Sequence, residues 1–149
     1  MAQGPLLTPD DLPFKANGVL NPGVAEIDGE VVLLLRIEDR QGLSHIRVAR
    51  SRNGVDCWRI AERPLLEPDL PAYPLEEWGC EDTRVTQTGP REWIIAYTAY
   101  SRYGPAVALA STSDFETATR LGVMLPPTNK DAAVFPGRHG GAGRSSARW

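Results

Sequence analysis

Gly23-Val24-Ala25-Glu26-Ile27-Asp28-Gly29-Glu30-Val31-Val32-Leu33-Leu34-Leu35-Arg36-Ile37 is the stretch from which the fold is read. A short apolar run, Gly23 to Ile27, meets Asp28-Gly29, a dipeptide that closes two-residue hairpins because both positions tolerate a positive φ. Glu30 to Ile37 is then the returning strand. Ser44 to Ser51 follows with His45, Arg47 and Ala49 on one side and Ile46 and Val48 on the other, the period-two pattern of a sheet. Asn53-Gly54 marks the next turn, and Cys57 to Ala61, which carries Trp58, is expected to be a fourth strand. Together these segments make a four-stranded meander.

The same layout returns. Val85 to Thr88, Glu92 to Tyr100, Pro105 to Ser113 and Thr119 to Leu125 read as four more strands, with turns at Gly89-Pro90, Arg102 to Gly104 and Asp114-Phe115. A shift of 61 lays Val24 on Val85, Leu33 on Ile94, Leu34 on Ile95, Val48 on Leu109 and Ala49 on Ala110, and Asn53-Gly54 on Asp114-Phe115. Four-stranded units at a fixed period predict an all-β fold of propeller blades. Asp131-Ala132-Ala133-Val134-Phe135 opens like a third unit, but Gly137 to Trp149 has the Gly, Arg and Ser content of a flexible tail. A propeller needs at least about four blades to close. The expectation is therefore two blades and the start of a third, from a protein roughly twice as long. Residues 1–16 form an N-terminal segment, 17–136 the propeller part and 137–149 an aberrant tail.

Composition narrows the class. The chain has 149 residues, 42% hydrophobic and 23% charged, which fits one globular unit and not a disordered chain. Its net charge of −3 gives no basic surplus for nucleic acid or an anionic membrane, and the acidic residues all lie before position 137. No apolar run approaches the roughly 20 residues that span a bilayer. Met1-Ala2-Gln3-Gly4-Pro5 lacks the charged and apolar regions of a signal peptide, so a cytoplasmic location is expected. Cys57 and Cys80 are too few for a disulfide framework. His45 and His139 have no partners at ligand spacing, so no metal is expected.

The repeat also points to chemistry. Three residues before Val24, Val85 and Val134 stand Asn21, Asp82 and Asp131, each at the mouth of a blade's innermost strand. Polar groups from successive blades then converge at one end of the channel. In a hairpin closed by the two-residue turn Asp28-Gly29, opposed residues have numbers that sum to 57, so Arg36 is expected opposite Asn21. Adjacent strand residues face opposite sides, so Glu81 and Asp82 are not expected to enter one site together; Asp82 faces the channel, and Arg84 shares its parity and can pair with it. Lys130, between Asn129 and Asp131, suits an oxyanion or phosphate. Trp58, Trp78 and Trp93 read as packing between blades.

Five motifs in order carry a family resemblance. Asn21-Pro22-Gly23, Leu33-Leu34-Leu35-Arg36, Ala49-Arg50-Ser51-Arg52-Asn53-Gly54 with Trp58, Gly79-Cys80-Glu81-Asp82-Thr83-Arg84, and Asn129-Lys130-Asp131-Ala132-Ala133-Val134-Phe135-Pro136 resemble the N-terminal half of glycoside hydrolase family 130. That family comprises the β-mannoside phosphorylases and relatives, which are five-bladed β-propellers. The resemblance implies inverting phosphorolysis of β-mannosides to mannose 1-phosphate, with inorganic phosphate as co-substrate and no cofactor. Such an enzyme needs one protein carboxylic acid, because phosphate replaces the activated water of a hydrolase. It implies Asp82 as general acid, sending its proton through a sugar hydroxyl. Asn21, Arg36, Lys130 and Asp131 would bind sugar and phosphate, with Glu81 and Arg84 in support. Two departures stand out: Thr83 occupies the place of the family's usual proline, and the family sequence gives way after Pro136, as a frameshift or truncation would make it do. The alternatives are a β-mannoside hydrolase, a furanosidase of another five-bladed group with Asp131 as second acid, and a non-catalytic carbohydrate-binding fragment. An incomplete propeller is expected to be inactive and to leave a sheet edge that a second copy of the chain, as in a homo-oligomer, would cover.

Overall fold

The computed structural model describes residues 4–136, and the expected tail lies outside them. Eight strands occur: β1 (Gly18–Ile27), β2 (Glu30–Glu38), β3 (Ser44–Ser51), β4 (Arg59–Ile60), β5 (Gly79–Gly89), β6 (Glu92–Ser101), β7 (Gly104–Thr112) and β8 (Thr119–Leu125). Their order is β1-β2-β3-β5-β6-β7-β8, with β4 beside β3. All pairings are antiparallel except β3 with β5, which meet in parallel at Ser44 and Gly79 alone. Two antiparallel meanders thus form two blades joined by a narrow bridge. β4 is shorter than the expected Cys57 to Ala61: only Arg59 and Ile60 pair with β3, opposite Arg50 and Ala49.

Period-two burial explains how the blades stack. Val32, Leu34, Ile46 and Val48 on one face of the first blade pack with Trp93, Ile95, Tyr97, Ala108 and Ala110 of the second. On the opposite face, Leu33, Leu35, Ile37 and Ala49 are covered by Leu7, Leu12 and Phe14 from the N-terminal segment. Trp93 packs in the seam as expected, its ring 5.0 Å from Phe115. Trp78 does not: it is 42% exposed, with its ring edge-on to Tyr100.

The repeat holds, with one correction. Val24 opposes Leu33 in the first blade and Val85 opposes Ile95 in the second, so Leu33 corresponds to Ile95 and not to Ile94. A register shift between Gln87 and Gly89 adds one residue before the second hairpin. The following turn restores the offset, since Leu33 opposes Ala49 as Ile95 opposes Ala110.

The turns after β3 and β7 repeat bond for bond. Ser51 Oγ accepts from the Asn53 and Gly54 amides (3.3 and 3.1 Å) and donates to the Asp56 carbonyl (2.6 Å). Thr112 Oγ1 accepts from the Asp114 and Phe115 amides (3.4 and 3.0 Å) and donates to the Thr117 carbonyl (2.7 Å). Asn53 Oδ1 and Asp114 Oδ1 each take two further amides. The third position is left-handed in both, Gly54 at φ 68° and Phe115 at φ 59°. Glycine takes that conformation freely, whereas for Phe115 it costs roughly 1–2 kcal/mol, offset by burial of its ring in the seam.

Ser51→Ala and Thr112→Val each strip a hydroxyl that serves two amides and a carbonyl. Each is expected to lower unfolding free energy by about 1–2 kcal/mol in urea titration. A loss at one turn and none at the other would contradict their equivalence.

Candidate active site

Asn21, Asp82 and Asp131 share a backbone trait that alternation does not foretell: their φ angles are 34°, 47° and 60°. In β1 the register slips between Leu20 and Gly23, so Asn21 and Pro22 together face Leu35. In β5 it slips between Glu81 and Arg84, so Asp82 and Thr83 face Tyr97. Each inner strand therefore carries a β-bulge whose first residue is left-handed, a conformation that Asn and Asp tolerate better than other side chains.

The bulges overturn three expectations. Arg36 opposes Leu20 and not Asn21, because the bulge consumes one residue of register. Glu81 and Asp82 do not diverge, since the left-handed turn at Asp82 cancels the alternation between them. Both reach one guanidinium: Arg36 Nη2 donates to Glu81 Oε1 at 2.9 Å and Nη1 to Asp82 Oδ1 at 3.1 Å. Arg36 Nε donates to Ser44 Oγ at 3.0 Å, which fixes the guanidinium plane. Asn21 Nδ2 donates to the same Asp82 oxygen at 2.9 Å, joining the two blades. Arg84 does not pair with Asp82; it bonds the Thr83 carbonyl at 3.1 Å, since the bulge has changed its parity as well.

Asn21, Asp82, Arg84 and Asp131 line a cavity of about 570 Å3. The three positions picked out by the repeat thus border one space. The segment after β8 is held there by Thr86 Oγ1, which donates to the Val134 carbonyl at 2.7 Å. Lys130 is 59% exposed and its Nζ lies 3.8 Å from Asp131 Oδ2.

The start of β5 is anchored from below. Glu76 is 2% exposed and accepts from Tyr97 Oη (2.6 Å) and from Arg120 Nε and Nη2 (3.0 and 2.8 Å). In sequence this glutamate is one of four acids in a loop. Nothing marks it as buried, because its partners lie 21 and 44 residues away.

Electrostatics separate the two neighbouring acids. Burial works to raise Asp82, but hydrogen bonds from Asn21 and Arg36 and the charges of Arg36 and Lys130 outweigh it and hold the carboxyl below its usual range. For Glu81 burial prevails, aided by the charges of Asp82 and Glu38 against those of Arg36 and the Ser44 hydroxyl, and the carboxyl is raised. Among the described residues no group of three His, Cys, Asp or Glu side chains could hold a metal ion.

A raised folded value means that ionised Glu81 costs stability at neutral pH, and that protonation relieves this cost. Acidifying from neutral through the raised value toward about 4.3 should therefore stabilise the parent relative to Glu81→Gln. Asp82 acts oppositely: its contribution is present above about 3.9 and is lost as pH falls through its lowered folded value. Chemical unfolding of both proteins across this range checks the sign; a parallel pH dependence would contradict it.

Known proteins share this sequence pattern and fold. A family profile described as β-1,4-mannooligosaccharide phosphorylase matches residues 7–143. The β-1,2-mannobiose phosphorylase of Listeria innocua is 30% identical over 90% of this chain and 53% of its own length. Its solved complex with β-1,2-mannobiose superposes with a TM-score of 0.79 at 29% identity, covering 89% of this chain and 53% of that one. The 4-O-β-D-mannosyl-D-glucose phosphorylase of Bacteroides fragilis is 38% identical over 36% of this chain and 14% of its own length. A structure from work on glycoside hydrolases of the same family that target β-1,2 mannosidic linkages in Candida mannan superposes at a TM-score of 0.66. That match is 28% identical and covers 73% of this chain and 32% of the other. The chain spans about half the length of its Listeria relative. With two propeller blades, five motifs in order and a family profile that matches its residues 7–143, the chain belongs to glycoside hydrolase family 130.

Proposed function

We propose that the chain forms part of a β-mannoside phosphorylase, which cleaves its substrate with inorganic phosphate to give mannose 1-phosphate and a shortened acceptor. The observation that carries this reading is the convergence of Asn21, Asp82 and Asp131 on one cavity, with Asp82 held by Asn21 and Arg36. Asp82 is the general acid. Phosphate attacks the anomeric carbon from the face opposite the leaving oxygen, the glycosidic bond breaks, and the Asp82 proton ends on the departing sugar.

In the empty site Asp82 starts as a carboxylate. Substrate changes that in three ways. A sugar that takes over the Asn21 amide removes a hydrogen bond that favours the charged form, its bulk excludes water, and a phosphate dianion adds like charge nearby. All three raise the Asp82 pKa, so the acid gains its proton as the complex assembles. Arg36 already serves two carboxylates. The exposed Lys130 ammonium is the cation better placed to meet phosphate, with Asp131 orienting it. Arg36 instead orients Asp82 and borders the sugar.

Hydrolysis is the second reading, favoured by the family likeness to hydrolases acting on β-1,2 mannosidic linkages. The two separate on product. In the full-length protein of which this chain forms part, β-1,2-mannobiose with phosphate is expected to yield mannose 1-phosphate, and Asp82→Asn to slow this about 10²–10⁴-fold. Free mannose released at a rate independent of phosphate would establish hydrolysis in its place. Undiminished turnover in Asp82→Asn would remove the residue from the chemistry.

A further inference from the structure

We propose that Thr83 is a positioning residue, whose hydroxyl ties the bulge of β5 to the bulge of β1 and so fixes the contact between Asn21 and Asp82. The hydroxyl is fully buried and has two partners on the first blade. It accepts from the Gly23 amide at 3.2 Å and donates to the Leu34 carbonyl at 3.2 Å. Gly23 and Leu34 oppose each other across β1 and β2, so one side chain of the second blade bonds both strands of a ladder in the first.

The residues on either side of this junction are those of the site. Gly23 lies two places after Asn21, and Thr83 directly follows Asp82. Position 23 is shaped for the contact: a Cβ there would lie 2.6 Å from Thr83 Oγ1, closer than any side chain can come. Fixing Gly23 against Thr83 sets the spacing of the two left-handed residues, and the Asn21 amide then meets Asp82 Oδ1 at 2.9 Å. A proline at position 83 would have neither the hydroxyl donor nor its acceptor.

Thr83→Val keeps the shape and deletes the link. The charged groups around Asp82 remain in place: Arg36 from β2, Glu81 and Arg84 from β5, and Lys130 and Asp131 after β8. A change in Asp82 therefore reports its hydrogen bond to Asn21. Hydrogen exchange and carboxyl NMR titration on the full chain read this without any assay of turnover, so the outcome stands apart from the phosphorylase reading. Thr83→Val is expected to lower Gly23 amide protection about tenfold and to move the Asp82 midpoint upward. Thr83→Ser, which keeps the hydroxyl, is expected to retain both. Ile27→Ala, a cavity in the seam at the hairpin end of β1, six residues from Asn21, should lower the melting temperature and leave the Asp82 midpoint unmoved.

An unchanged Asp82 midpoint in folded Thr83→Val overturns the proposal, as does a midpoint that moves equally in Ile27→Ala. If Thr83→Val does not fold, the unaltered chain decides: a Gly23 amide exchanging at the rate of an open peptide ends the proposal, and a protected one retained in Thr83→Ser upholds it.

Discussion

A left-handed residue within an inner strand is the constraint on which the site depends. Were Asp82 extended, Glu81 and Asp82 would face opposite sides of the sheet and no single guanidinium could reach both. At φ 47° the chain folds the second carboxylate back, and Arg36 holds the pair. The same device in β1 presents Asn21 to Asp82 across the seam. Strained residues of this kind persist only where their surroundings over-determine them. Here an amide, a guanidinium and an anchored loop all fix one carboxylate.

The seam between the blades is secured unequally along its length. At the hairpin end of β1 an exposed pair, Asp28 with Arg91, contributes little because water screens it. The apolar cluster in the middle supplies the adhesion. At the other end of β1 the polar contacts of Asn21, Thr83 and Asp82 add geometry more than strength. The spacing of the site is therefore set where the blades are not chiefly glued, and the core can be altered without redrawing the site, provided the blades keep their angle.

Much of the architecture was legible. β3 and β8 fall on the residues that alternation and turn signals select, and counting back from Val24, Val85 and Val134 finds three residues that line one cavity. The contacts were not legible, because the register rule assumes an unbroken ladder and the bulges break it. One signal was present: Pro22, lacking an amide hydrogen, is admitted to a strand only at an edge, a first position or a bulge. It does not announce the left-handed Asn21, since a proline biases the residue before it toward extended backbone. Asp82-Thr83 carries no such mark. The buried role of Glu76 and the hydroxyl link of Thr83 depend on partners at least 21 residues away, which no local pattern encodes.

The paired turns after β3 and β7 show what identity between blades consists of. Ser51-Arg52-Asn53-Gly54 and Thr112-Ser113-Asp114-Phe115 have no residue in common, yet hydroxyl, amide acceptor and left-handed corner occupy the same slots. Descent from a common blade would therefore be carried by functional groups at fixed intervals, while the corner is free to become either a bare hinge or a plug that fills the neighbouring crevice. A glycine there leaves adjoining sheets to find their own packing; an aromatic commits them to one.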